Sequence, residues 1–103
     1  MTAKLLVLYN PPEDPAAFAA YYVDRHLPLV KQVPGLRSAA SSVGPIGTPE
    51  GPAPYHQISV YTFDSMADLQ QGLGSPEGAA AAADLPNYAT GGATLLVYEE
   101  QPV

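Results

Sequence analysis

Two histidines carry the only side chains of this chain that ordinarily titrate near neutral pH. His26 follows Tyr22 by four residues, a spacing that places both side chains on one face of a helix. A histidine beside a tyrosine on an apolar face can transfer a proton near neutral pH. The same pattern also fits a core histidine that bonds a backbone carbonyl or a tyrosine hydroxyl. His26 is therefore a candidate catalytic residue and Tyr22 a candidate substrate-binding residue, and the structural interpretation of both stays open.

The helix that carries these residues is predicted to begin after Asp14, because an Asp followed by Pro15 is typical of a helix start. On a helical wheel both side chains lie opposite the charged residues, Phe18 flanks them as a further candidate, and Tyr21 falls on the solvent side. Pro28 lacks the N–H that would bond the carbonyl one turn back, so we expect a kink or break there. Loose packing at that break would leave room for a pocket beside His26.

His56 lies on the clearest predicted strand, where alternation places it on one face with Ile58 and Val60, and Ser59, Tyr61 and Phe63 on the other. It could meet His26 if its side chain faces the helices. Two histidines and a carboxylate can bind a metal, but no local ligand spacing supports this, and we expect no metal. The segment Gly72-Leu73-Gly74 lies at a helix end and lacks the third glycine of a dinucleotide fingerprint, so we expect no cofactor. Tyr61 and Tyr88 are further candidates for a pocket wall, together with His56.

The elements that must position these residues alternate as β, α, β, β, α, β. Breakers and capping residues separate them, and a loop rich in glycine and proline spans residues 44–54. The predicted strands are Lys4–Tyr9, Leu36–Val43, Tyr55–Phe63 and Ala93–Glu99, and the later helices begin at Ser65 and Ser75. This order predicts an α+β, ferredoxin-like fold with a four-stranded antiparallel sheet and both helices on one face.

The first strand is apolar on both sides, with Leu5 and Val7 facing one way and Leu6 and Leu8 the other. A run of this kind reads as a strand that is buried on both faces. Helices can cover only one face of the sheet, and the other would be an exposed apolar patch. A second copy of the same sheet would cover it, so we expect a homodimer.

Composition narrows the classes of partner. The chain has 103 residues, which fits one domain, and a net charge of −6 with only four basic residues. So few scattered cations cannot neutralise a run of phosphates, so we expect neither nucleic acid nor an anionic membrane surface as a partner. The absence of cysteine excludes disulfides and thiolate catalysis, and the first apolar stretch is too short for a signal peptide or a membrane span. A cytoplasmic location is expected.

Two segments resemble the EthD family. The first runs from Tyr21 to Leu29, contains a His-x-Pro-Leu step, and is closed by Pro-Gly-Leu at residues 34–36. The second runs from Ser75 to Gly92 and begins with a Ser-Pro-Glu-Gly step. The likeness covers nearly the whole chain and indicates a single EthD-like domain over residues 1–103.

The resemblance implies a dimeric α+β barrel in which two ferredoxin-like sheets pack face to face. Similar barrels include cofactor-free monooxygenases, lactone isomerases and polyketide cyclases, in which a histidine and tyrosines commonly line a pocket between helices and sheet. His26 matches the helix histidine of the family. Members are often labelled reductases, although no cofactor motif supports that label in this sequence.

Three hypotheses follow. In the first, the protein is a cofactor-independent enzyme for a small apolar or aromatic oxygenated metabolite, with His26 as general acid or base and tyrosines that orient the substrate. In the second, it is a non-catalytic binding or accessory protein for a degradation pathway, and His26 only bonds the ligand. In the third, it is a structural dimer with no cavity beside His26.

Overall fold

A computed structural model describes all 103 residues of the chain. Four strands form one antiparallel sheet, and a separate two-stranded hairpin lies in the segment 44–54. The strands are β1 (Thr2–Tyr9), β2 (Leu36–Ser41), β3 (Gly47–Thr48), β4 (Gly51–Pro52), β5 (Gln57–Phe63) and β6 (Ala93–Glu100). The order in the main sheet is β2-β5-β1-β6 with every neighbouring pair antiparallel, so the predicted ferredoxin-like topology is confirmed.

The helical segments begin where the sequence predicts, because polar side chains cap their free N–H groups. They are α1 (Pro15–Tyr21), α2 (Leu27–Val30), α3 (Met66–Leu73) and α4 (Pro76–Asp84), and a 3₁₀ turn (Leu85–Asn87) follows α4. Asp14 accepts from two N–H groups of α1, and the hydroxyls of Ser65 and Ser75 accept from N–H groups 3.1 and 3.0 Å away. None of the helices is long and apolar enough to cross a lipid bilayer.

A π-helical turn (Tyr22–His26) joins α1 to α2. The N–H of Leu27 donates to the carbonyl of Tyr22, five residues back, and the next residue, Pro28, has no N–H to continue the α-helical pattern. The α-helical hydrogen-bond pattern is therefore interrupted in the turn before Pro28, and it resumes in α2, which contains Pro28. The wider turn keeps both Tyr22 and His26 buried.

Two expectations about less regular segments need correction. The segment 44–54 is not a plain loop, since β3 and β4 pair within it and the Thr48 hydroxyl donates to the carbonyl of Gly51 at 2.9 Å. Such local side-chain bonds hold a turn in a stretch too rich in glycine and proline to be recognised as a strand. The second predicted strand also ends earlier than expected, at Ser41.

The core lies between the sheet and the helices. On β1 and β5 alternate residues point into it, and its largest fully buried side chains include Tyr9, Phe63 and Leu69. The alternation predicted for β5 is confirmed, because Ser59, Tyr61 and Phe63 are buried and the residues between them are not. The helix-facing side of the sheet thus carries the tyrosines and serines that concern the candidate site.

The opposite face of the sheet is apolar and has no helix over it. Leu6 is the cross-strand partner of both Val60 and Leu96, and Leu8 pairs with Ile58. Leu96 is 47% exposed, and Leu6 and Leu8 are only half-buried. The expectation that β1 is buried on both faces is therefore wrong for the single chain, because all the helices pack on one side.

Candidate functional site

His26 and Asp84 form a buried pair between the first and last helical segments. His26 Nδ1 lies 2.9 Å from Asp84 Oδ2, and the two residues are 3% and 8% exposed. The π-helical turn delivers the histidine, and the last residue of α4 delivers the carboxylate. Because an ionised carboxylate can only accept hydrogen bonds, Nδ1 is the protonated nitrogen of a neutral His26.

Two further side chains hold Asp84 in place. The Tyr21 hydroxyl donates to Asp84 Oδ1 at 2.6 Å, and Asn87 Nδ2 donates to the same oxygen at 2.9 Å. Tyr21 is half-buried and stacks on Tyr88, so its predicted place on the solvent side is wrong. The helical wheel of one helix cannot show that another element packs beside it. The carboxylate thus has one oxygen for positioning and one for His26.

The protonation states of the pair follow from this environment. Burial lowers the pKa of His26 below its ordinary 6.5, and the hydrogen bond and charge of Asp84 only partly offset that effect. Burial alone would raise the pKa of Asp84, but hydrogen bonds from Tyr21, Asn87 and His26 outweigh it and lower that pKa. At neutral pH the pair is therefore a neutral imidazole that donates to a carboxylate.

A cavity of about 60 Å³ lies between the sheet and the helices, and His26 is part of its wall. Twelve of its fourteen lining residues are hydrophobic, among them Leu5 and Val7 of β1 and Val30 of α2. Leu95 of the edge strand β6 also lines it and is 43% exposed, so the cavity reaches the surface near that edge. This space lies beside His26, and a ligand-binding pocket there remains a prediction.

The second ring nitrogen of His26 has no hydrogen-bond partner in the chain. The only polar contact of the side chain is the one from Nδ1 to Asp84. No buried side-chain nitrogen or oxygen lacks a partner, so the unpartnered Nε2 must border accessible space. Since His26 lines the cavity, we infer that Nε2 faces it. Nε2 is thus a hydrogen-bond acceptor at an otherwise apolar wall.

The predicted tyrosine wall is gathered around His26, but its hydroxyls bond one another. The Tyr22 hydroxyl lies 2.8 Å from that of Tyr61, and 2.7 and 2.9 Å from the hydroxyls of Ser41 and Ser59. Tyr61 is the only tyrosine that lines the cavity. Burial raises its pKa, so this hydroxyl stays protonated at physiological pH. A substrate-binding role for Tyr22 and Tyr61 remains a prediction.

Phe18, Tyr88 and His56 lie farther along the same aromatic cluster. The ring centroids of His26 and Tyr88 are 4.7 Å apart, and the Tyr88 hydroxyl bonds that of Tyr9. Phe18 packs 5.2 Å from Tyr88 and 5.0 Å from His56. None of the three lines the cavity. Their predicted contact with substrate is untested, and of the three only Tyr88 packs against the ring of His26.

His56 touches the helices through Phe18 and not through His26. It precedes the first residue of β5, where its N–H donates to the carbonyl of Tyr9 at 2.8 Å. A bend there takes its side chain to Phe18 although strand alternation would assign it to the other face. No group of three or more histidine, aspartate or glutamate side chains has an arrangement that could hold a metal ion.

Sequence reasoning missed Asp84, Asn87 and the role of Tyr21. One signal was available for Asp84, which ends an alanine-rich helix. A carboxylate at a helix C-terminus faces the negative end of the macrodipole, so a position there suggests a compensating partner. The partner itself is 58 residues away in the chain and could not be identified without the fold.

Residues 10–92 match the EthD domain. The chain belongs to this family. The match contains α1 to α4 and therefore both His26 and Asp84. An uncharacterized 11.0 kDa protein from the thcB–thcC intergenic region of Rhodococcus erythropolis is 40% identical over 102 residues, which cover 97% of this chain and 96% of that protein.

Solved structures share the fold. The crystal structure of an ethyl tert-butyl ether D (EthD) family protein from Bacillus halodurans is 34% identical, with a TM-score of 0.87 and coverage of 98% of this chain and 100% of that one. SnoaB, a cofactor-independent oxygenase from Streptomyces nogalater, is 10% identical with a TM-score of 0.71, covering 99% and 95%. Further structures of this fold, below 25% identity, are described as dimeric ferredoxin-like proteins.

Proposed function

We propose that this EthD domain protein is a homodimeric, cofactor-independent enzyme in which His26 removes a proton from a small apolar or aromatic oxygenated metabolite. One observation carries the proposal. The neutral, buried His26 lines an apolar cavity, its Nε2 has no partner in the chain, and Asp84 holds the other nitrogen. A general base needs a free lone pair, and burial, which lowers the pKa of His26 below its ordinary 6.5, keeps the imidazole unprotonated at neutral pH.

The proposed proton transfer depends on the charges that form on His26 and on the substrate. When Nε2 takes the proton, the imidazolium that forms lies 2.9 Å from the Asp84 carboxylate, which stabilises its charge. The substrate is left as an enolate or phenolate. Such an anion can be reprotonated elsewhere in an isomerisation, close a ring, or react with dioxygen. The fold shared with the cofactor-independent oxygenase SnoaB supports the oxidoreductase branch by analogy only.

The homodimer is part of the proposal because of the uncovered sheet face. Leu6, Val60 and Leu96 are cross-strand neighbours on this face, and no helix of the chain packs on them. A second copy packed face to face would bury this apolar patch. We also propose a cytoplasmic site of action, which cell fractionation tests.

Replacement of His26 by Gln tests the enzyme proposal, because Gln keeps a polar side chain but cannot accept the transferred proton as a base. Exposed Lys31 provides the control, Lys31→Gln, on the other side of the helix. Both variants are assayed against a panel of small phenols, quinols, enol lactones and anthrone-like ketones. We expect His26→Gln to lose turnover of any active substrate at least about hundredfold, and Lys31→Gln to keep it. Full turnover by His26→Gln would refute the assignment.

A second candidate function is a non-catalytic binding or accessory protein. The observation that favours it is the closed hydroxyl cluster, because the hydroxyl of Tyr61 already lies 2.8 Å from that of Tyr22. The cavity then has no free donor to stabilise a developing oxyanion. Tight binding of a panel compound without turnover, by the wild type and His26→Gln alike, would support this candidate over the enzyme.

A further inference from the structure

We infer that Asp84 sets the ligand class of this site: the cavity selects neutral molecules that present a hydrogen-bond-donating or acidic hydrogen to Nε2 of His26. This inference deepens the proposed function and rests on its placement of His26 at the site. It concerns binding, so it can be tested without any turnover. Asp84 acts in it as a positioning residue, since it touches His26 and does not line the cavity.

Asp84 determines whether His26 donates or accepts a hydrogen bond at the cavity wall. Asp84 Oδ2 accepts from Nδ1, so the proton of the neutral imidazole sits on that side and Nε2 has only a lone pair. Oδ1 of the same carboxylate accepts from Tyr21 and Asn87 at 2.6 and 2.9 Å. These two hydrogen bonds prevent the Asp84 carboxylate from rotating away from His26, so the imidazole proton stays on Nδ1. A ligand whose only polar atom is an acceptor meets another acceptor at Nε2.

The charge of the ligand is limited by what surrounds the cavity. Its lining includes no lysine or arginine, and the nearest ionised group behind His26 is the carboxylate of Asp84. The whole chain also carries a net charge of −6. A carboxylate or phosphate placed next to Nε2 would lose its water without gaining a cation. The ligand group that reaches His26 is therefore uncharged when it binds.

The size of the cavity limits what can be enclosed. A cavity of about 60 Å³ is smaller than the roughly 150 Å³ engineered cavity known to bind benzene. A five-membered ring is thus a better probe of the inner end than a six-membered one. Larger substrates would place one edge beside His26 and extend past Leu95, which is 43% exposed at the rim.

Pyrrole and furan form a matched pair of probes for this inference. They are neutral five-membered rings of nearly equal size, but pyrrole offers an N–H donor and furan offers none. Binding is measured by ligand-observed NMR and by titration of the ¹⁵N shifts of the His26 ring, assigned with the His26→Gln variant. We expect pyrrole to bind about two- to tenfold more tightly than furan, the range for one net hydrogen bond. Equal binding of the two would overturn the inference.

The variant Asp84→Asn reverses the donor pattern with almost no change in shape. Its amide oxygen can still accept from Tyr21 and Asn87, which leaves the NH₂ group to donate to Nδ1. Nδ1 must then be the acceptor, and the imidazole proton moves to Nε2. We expect the ¹⁵N shifts of the two ring nitrogens to exchange their character and the preference for pyrrole to disappear. A merely structural Asp84 would leave both unchanged, and that result would refute its positioning role.

The half-buried acid Glu77 on the first turn of α4 provides the matched control, Glu77→Gln, which removes the same charge from the same helix. We expect it to keep the preference for pyrrole and the ring-nitrogen shifts of the wild type. If pyrrole is preferred but no panel compound turns over, the ligand class stands and the enzyme proposal fails. If turnover is found but pyrrole and furan bind equally, the enzyme proposal stands and the ligand class fails.

Discussion

The substitution Leu96→Asp tests the proposed dimer on its uncovered sheet face. Leu96 is 47% exposed in the single chain, so about half of its burial remains to be gained from a partner. Full burial of a leucine is worth ~1.5–3 kcal/mol, which leaves about 1 kcal/mol per protomer and about 2 kcal/mol per symmetric dimer. A carboxylate in the same place costs several kcal/mol more per ion for lost hydration. The dimer should dissociate at least about a thousandfold more readily.

Sedimentation velocity over a range of protein concentrations measures this dissociation, and far-UV circular dichroism checks that the fold is retained. The matched control is Val43→Asp, because Val43 is 95% exposed in the loop after β2 and lies outside the sheet face. We expect the control to sediment like the wild type and Leu96→Asp to sediment as a monomer. If Leu96→Asp kept the dimer of the control, or if the wild type were monomeric, the argument from the uncovered face would be refuted.

Three further predictions concern stability and pH. Gly78→Ala should lower the free energy of unfolding by about 1–3 kcal/mol in thermal melts. The reason is that a Cβ at this position would lie 2.2 Å from the carbonyl oxygen of Gly72, a backbone atom that cannot move aside as a side chain can. Unchanged stability would contradict the close approach of α3 and α4. Ser65→Ala should lower it by about 1 kcal/mol in urea titrations through loss of the α3 cap, whereas Ser65→Thr should not. Burial lowers the pKa of His26 below 6.5, so the unfolded chain binds more protons than the folded one as the pH falls below that value. Wild-type stability relative to His26→Gln should therefore decline below pH 6.5 and level off at neutral pH, and a constant difference in denaturant titrations would exclude a depressed pKa.

Local sequence signals predicted most of the fold. Asp14, Ser65 and Ser75 each accept from N–H groups of the helix they begin, and such capping acts within three residues. The alternation of Ser59, Tyr61 and Phe63 likewise appears as predicted on the helix-facing side of β5. The hairpin within residues 44–54 was not predicted, because its strands have two residues each, too few to show any periodicity.

The site was predictable only in part. The spacing of Tyr22 and His26 and the apolar face of the helix predicted that the histidine points towards the sheet, where the structure buries it. The direction of His56 was not decided, since a bend before β5 overrides the alternation of the strand. Substrate contact by the aromatic candidates is still a prediction.

By itself, the sequence determined the topology, the buried position of His26 and the apolar character of both sheet faces. These depend on capping, periodicity and composition, which act between residues close in the chain. Only the tertiary structure decided that Asp84 meets His26 across 58 residues of sequence and that Tyr21 and Asn87 hold the carboxylate. It also left Nε2 free at the cavity. Such contacts depend on how α4 packs against the π-helical turn, and no local pattern encodes the orientation of one helix relative to another.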